Sequence, residues 1–157
     1  MSLGLGRGIL VLGAIPAAFL AGMVVARSSG PAQAQAAPLT AQIVDLAAIT
    51  DAELGAIVPG LGTLRSRTLV VLPQGTLAVQ TGDVPKHMHA EANEFQLVVS
   101  GSGTFWLGDS QREIHPGSLI IIPKGVTHAG SHPSSGEFKV LSIKMPPQGA
   151  GDLHLMP

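Results

Sequence analysis

From Arg67 onward the chain never runs far before glycine, proline or serine interrupts it, and that punctuation decides what it can fold into. Residues 68–72 are apolar and partly β-branched, Pro73-Gln74-Gly75 turns them, and residues 76–81 alternate. Further strands are predicted over 87–89, 94–100, 104–107 and 111–114, with turns at Gly101-Ser102-Gly103 and Gly108-Asp109-Ser110. The apolar run over 118–122 reads as a strand buried on both faces. After a loop over 131–136, residues 137–145 alternate as a long last strand. About eight or nine short strands with no helices between them leave a closed all-β barrel or sandwich.

Upstream of the strands, residues 43–46 fit a short edge strand. Thr50-Asp51-Ala52-Glu53 has the form of a capping box, with Thr50 as N-cap and Glu53 at the third helical position. A short helix to about Val58 follows, stopped by Pro59-Gly60. The expected organisation is therefore a signal peptide or membrane anchor over 1–36, a leader and short helix over 37–64, the barrel over 65–145, and a Pro/Gly-rich tail over 146–157 lying loosely on the surface.

One stretch within the predicted strands carries chemistry. His87 and His89 are two residues apart, so on a strand both imidazoles leave the same face. Glu94 opens the next apolar run, and His128 follows the Pro123-Lys124-Gly125 corner. Two histidines at strand spacing, one carboxylate and one distant histidine make a mixed nitrogen and oxygen set suited to a divalent transition metal. Alone, His128 would read as a hydrogen-bonded turn residue; beside the other three it reads as a ligand. Gln96 shares the face of Glu94 and is expected to hydrogen-bond a ligand or the substrate. His132 reads as a residue shaping the loop beside the ligands rather than a fifth ligand, while Glu91, His115 and His154 read as bystanders. Phe105 and Trp106 face opposite ways, one of them into the barrel.

Charged residues make up only 12% of the chain against 45% hydrophobic, and the N-terminus supplies part of that imbalance. No Asp or Glu precedes Asp45, Arg7 precedes a small and apolar run over 8–26, and Ala34-Gln35-Ala36 offers a cleavage site. These features read as a secretory signal peptide. The length of the run, with Arg27 on its far side, makes an uncleaved anchor the alternative. The expectation is an exported, periplasmic or secreted protein that meets a membrane only through this segment. Nine basic residues against ten acidic, with no basic cluster, argue against nucleic acid as a partner. They also argue against a phosphorylated substrate. The absence of cysteine excludes thiol chemistry.

Gly82, His87-x-His89, Glu94 and Gly101 resemble the first motif of the cupin superfamily, and Gly117, Pro123, Gly125 and His128 resemble the second. Gly82 lies one residue closer to His87 than in that pattern, and His132 stands where an asparagine usually closes the second motif. The resemblance, to small single-domain cupins of the type-2 group, covers roughly residues 65–145. It implies a cupin jelly-roll β-barrel with a metal inside, held by His87, His89, Glu94 and His128. Fe, Mn, Ni, Co or Zn would suit that set, with positions left open for water or a small-molecule substrate. A homodimer is a further implication of the resemblance.

Fold does not settle function. The first reading is a mononuclear metal-dependent oxidoreductase, dioxygenase-like, acting on a small organic molecule, with Glu94 a ligand able to accept a proton when displaced. The absence of Tyr and Cys separates it from thiol dioxygenases. The alternatives are a non-catalytic metal or small-molecule binding cupin and, more weakly, a sugar isomerase or epimerase. Polar groups lining the cavity near the metal would favour turnover; an apolar rim would favour capture.

Overall fold

Every second residue of the central strands is withdrawn from solvent, and that alternation wraps the sheet around its core. The computed structural model describes residues 38–157; the signal or anchor segment expected over 1–36 lies outside them. Among the described residues one short helix, α1 (Asp51–Leu54), precedes eight strands. These are β1 (Arg65–Leu72), β2 (Gly75–Thr81), β3 (His87–His89), β4 (Asn93–Leu107), β5 (Ser110–Ile114), β6 (Leu119–Ile122), β7 (His128–Met145) and β8 (Leu153–Leu155). All pairings are antiparallel. The two long strands organise the rest: β7 pairs with β2, β3 and β4, and β4 also carries β5 and β6. The architecture is the all-β jelly roll that the sequence led us to expect.

Register places the site. On the inner face Thr76, Lys144, Glu94 and Ile122 stand in one row across β2, β7, β4 and β6. Ala78, Ser142, Gln96 and Ile120 form the next row. At their β6 end these rows turn apolar, where Ile120 and Ile122 pack with Val98, Phe105, Ile114 and Phe138 into one buried cluster. The polar end of the barrel and its oil-filled end thus lie along the same strands.

A second cluster forms on the outside. Ile49 and Leu54 pack with the fully buried Val79 of β2, so the leader covers the outer face there. The leader is held by Lys139, whose ammonium donates to the carbonyls of Ala47 and Ile49 at 2.7 and 2.5 Å. The capping box is present as predicted, Thr50 and Glu53 each satisfying the other's backbone N–H.

Several expectations are corrected. The helix ends at Leu54 rather than near Val58, because Gly55 takes φ 88° as its C-cap. Residues 43–46 form no strand. The turn predicted at Gly101-Ser102-Gly103 lies inside β4; Gly101, at φ 80°, lets the strand bend with shifted register instead of reversing. The loop predicted over 131–136 likewise lies inside β7. Residues 119–122 are buried on one face only, with Leu119 and Ile121 more than half exposed. Their outward side has no cover among the described residues, so continuous apolarity did not mean two buried faces. The tail is not loose: Leu153–Leu155 forms β8 on β3, and Asp152 is buried.

Leu54→Ala should lower stability by roughly 2–5 kcal/mol, the cost of emptying a buried leucine site. Because Leu54 packs on the outer face, metal bound per chain at saturation should stay unchanged, as denaturant titration beside metal analysis would show.

Candidate metal centre

β3 has only three residues, and its alternation does the placing. His87 and His89 are buried, while Met88 between them is half-buried. His128 opens β7 directly opposite His87, and Glu94 is the second residue of β4. One donor atom from each of the four residues lies within 4.8 Å of the others. The structure therefore brings together the four residues that the sequence nominated.

Each imidazole is tied down by its outer nitrogen. His87 Nδ1 lies 2.8 Å from the Pro85 carbonyl, His128 Nδ1 3.1 Å from the Val126 carbonyl, and His89 Nδ1 3.1 Å from Asp152 Oδ2. A carbonyl or a carboxylate can only accept, so each Nδ1 carries the proton and each Nε2 keeps its lone pair for the interior. Glu94 divides its two oxygens in the same way. Oε1 accepts from Ser142 Oγ at 2.6 Å and Gln96 Nε2 at 3.0 Å. Oε2 faces His89 Nε2 at 3.2 Å and His128 Nε2 at 3.3 Å.

Those last contacts lack hydrogen-bond geometry, and both Nε2 atoms are buried without a partner among the described residues. Unpaired buried polar atoms are costly, and electron-rich atoms aimed at one another are more so. A single proton could bridge one such pair; a divalent transition ion answers the whole set, and imidazole nitrogen with carboxylate oxygen is the donor chemistry it takes. The residues fit the metal.

Electrostatics point the same way. Burial, reinforced by the neighbouring His128 ring and only partly countered by the Pro85 carbonyl, pushes His87 down to about 4. It is neutral, and available as a ligand, at ordinary pH. For Glu94 burial alone would raise the value. A proton carried on the His128 or His89 ring, the Lys144 ammonium and the Ser142 hydroxyl outweigh it and hold the carboxyl well below its usual range. Burial would likewise raise Asp152, but the backbone N–H groups of Glu91 and Ala92, then the His89 ring, hold it low.

Other nominated residues separate cleanly. Gln96 meets Glu94, as its position on the strand implied. His132 does not join the cluster: it is exposed, opposite Thr104 in the β4–β7 pairing, and lines an outer groove with Lys86 and Trp106. Phe105 is the member of its pair that turns inward, its ring stacked 6.2 Å from that of His128. Asp152, Ser142 and Lys144 were not foreseen. Period-two counting from Phe138 along β7 reaches Ser142 and Lys144, but Asp152 carries no local signal because it depends on the β3–β8 pairing.

A cavity of about 320 Å³ reaches His87 and Glu94. Thr76, Gln80, Gln96, Ser142 and Lys144 make one part of its wall polar, while Val58, Leu61 and Leu64 make another apolar.

Residues 74–144 match the family described as Cupin domain. In fold, the chain is similar to an uncharacterized conserved protein with a double-stranded beta-helix domain from Klebsiella pneumoniae. Identity is 17% and the TM-score 0.56, over 69% of this chain and 96% of that one. It is also similar to TT1209 from Thermus thermophilus, at 16% identity and TM-score 0.53 over 67% and 97%. A Streptomyces PAC13 variant with uridine is similar at 17% identity and TM-score 0.51, over 60% and 77%. At such identities the likeness is one of fold. No curated protein matches the chain significantly.

Asp152→Ala should weaken metal binding roughly 10- to 100-fold by freeing the His89 ring. Asp152→Asn keeps an oxygen for the Glu91 and Ala92 N–H groups but turns its NH2 toward His89 Nδ1, which needs an acceptor, and should recover none of that loss; competition against a metal-binding dye measures both. The metal-free protein should lose stability as pH falls from about 6.5 through about 4. In that window the unfolded chain protonates His87 and the folded chain resists, so protons favour the unfolded state. Glu94 adds to the loss below the ordinary carboxylate value of 4.5, for the same reason. Urea midpoints across this range would test the slope.

Proposed function

We propose that this chain, a cupin through its residues 74–144, binds one divalent transition metal at His87, His89, Glu94 and His128 and acts as an exported, dioxygenase-like oxidoreductase on a small organic molecule. The observation that carries the metal reading is the division of labour within each ligand. Every imidazole is anchored at Nδ1 and Glu94 at Oε1, so Nε2 and Oε2 converge, and the Nε2 atoms of His89 and His128 have no hydrogen-bond partner among the described residues. Turnover rather than storage is supported by the polar wall beside the ligands, to which Thr76, Gln80 and Lys144 add side chains beyond the two that anchor Glu94.

A divalent ion supplies Lewis acidity and, where redox-active, electron transfer. The chain's own groups set the conditions. The buried faces of His89 and His128 keep water from the rear of the site. Gln96 and Ser142 hold Glu94 through Oε1, so Oε2 could swing off as a ligand and accept a substrate proton without losing its orientation. The apolar part of the wall supports the competing reading, a binding module without turnover.

Metal analysis of protein purified from its native compartment should find one equivalent of Fe, Mn, Ni, Co or Zn, lost in His128→Ala. No metal in either sample would sink the reading. Oxygen uptake by the loaded protein over a panel of small organic molecules then separates an oxidoreductase from a binding module.

A further inference from the structure

We propose that the cavity takes a small organic carboxylate, and that Lys144 is the residue that recognises its charge. This rests on the metal reading above. Lys144 points inward from β7, in register with Glu94 on one side and Thr76 on the other. Its side chain is 13% exposed, and among the described residues lining the cavity it is the only lysine or arginine. Its ammonium lies 3.8 Å from Glu94 Oε1, beyond hydrogen-bonding distance, and that oxygen is already taken by Ser142 and Gln96. The three N–H groups of Lys144 have no hydrogen-bond acceptor among the described residues, and the nitrogen is not sealed off from the cavity. It is a donor held ready beside a space.

Charge completes the argument. Three neutral imidazoles, the carboxylates of Glu94 and Asp152, one ammonium and a divalent ion leave one positive charge without counter-charge inside the barrel. Uncompensated charge in a poorly solvated site is costly, and an anionic ligand relieves it where a neutral one does not. A carboxylate matches this need better than a phosphate, because a single lysine stands here rather than a basic cluster. The cavity, about 320 Å³, sits at the small end of ligand-sized cavities, and its apolar stretch at Val58, Leu61 and Leu64 suits a short carbon skeleton. Lys144 is a specificity-determining residue, distinct from the metal ligands.

The test uses the full chain loaded with Co(II), whose visible bands report both the ion and its surroundings. Lactate is the anionic probe, and propane-1,2-diol is its neutral counterpart with the same skeleton. Lactate should perturb the bands of wild type with an affinity about tenfold or more above that for Lys144→Met, the loss expected when a charge-assisted hydrogen bond is removed. Lys144→Arg should recover most of the difference, and propane-1,2-diol should not tell the variants apart. Equal lactate affinity in wild type and Lys144→Met, or no lactate response in cobalt-loaded wild type, overturns the proposal. Cobalt content and folding are checked before any probe is added. A wild type that takes up no cobalt is the failure of the metal reading, seen at that earlier step, and this inference falls with it. If Lys144→Met fails to fold, Lys144→Gln serves in its place.

Discussion

Two imidazole nitrogens and a carboxylate oxygen, 3.2 and 3.3 Å apart in a dry interior, should repel one another. The rest of the structure is arranged so that they cannot move away. Pro85, Val126 and Asp152 hold the rings from behind, and Ser142 and Gln96 hold the carboxylate. The stability needed to keep that crowd in place comes from elsewhere on the same strands. The cluster around Phe105, Phe138 and Ile122 fills the apolar end of the barrel, and two of its members, Ile120 and Ile122, stand on the rows that carry Gln96 and Glu94. Strand register is what couples them: a slip of one residue in β4 would turn Glu94 and Gln96 outward and the outer Phe95 inward.

Two segments outside the repeating strands complete the arrangement. The leader lays Ile49 and Leu54 over Val79 and is fastened by Lys139, closing the outer face behind β2. Residues 153–155 add a strand to the otherwise short β3, and the residue before them, Asp152, reaches His89 while accepting the backbone N–H groups of Glu91 and Ala92. One carboxylate thus fixes a ligand and the chain bend that follows it.

The ligand set was legible because period two and two motifs with fixed internal spacing are local properties: His87 and His89 share a face on any strand, and Gln96 follows Glu94 by the same rule. Local reading failed where the outcome depends on distant pairing. Gly101-Ser102-Gly103 has the composition of a turn, yet pairing along β7 keeps it within a strand. The run at 118–122 is equally apolar on both sides, but only Ile120 and Ile122 meet the core. His132 was drawn toward the site by its place in a motif, and the β4–β7 register instead puts it outside. Asp152 sits in a stretch whose composition says tail, and nothing short of the β3–β8 pairing reveals it.

The contact between His89 and Asp152 spans 63 positions of sequence, and it has a consequence for how the protein is made. On the ribosome, every ligand will have emerged well before the carboxylate that aligns one of them. The site acquires its final shape only when this late strand docks on β3 and brings Asp152 to the His89 ring. Substitutions that weaken the docking of Leu153–Leu155 on β3 thus act on an interior centre through Asp152.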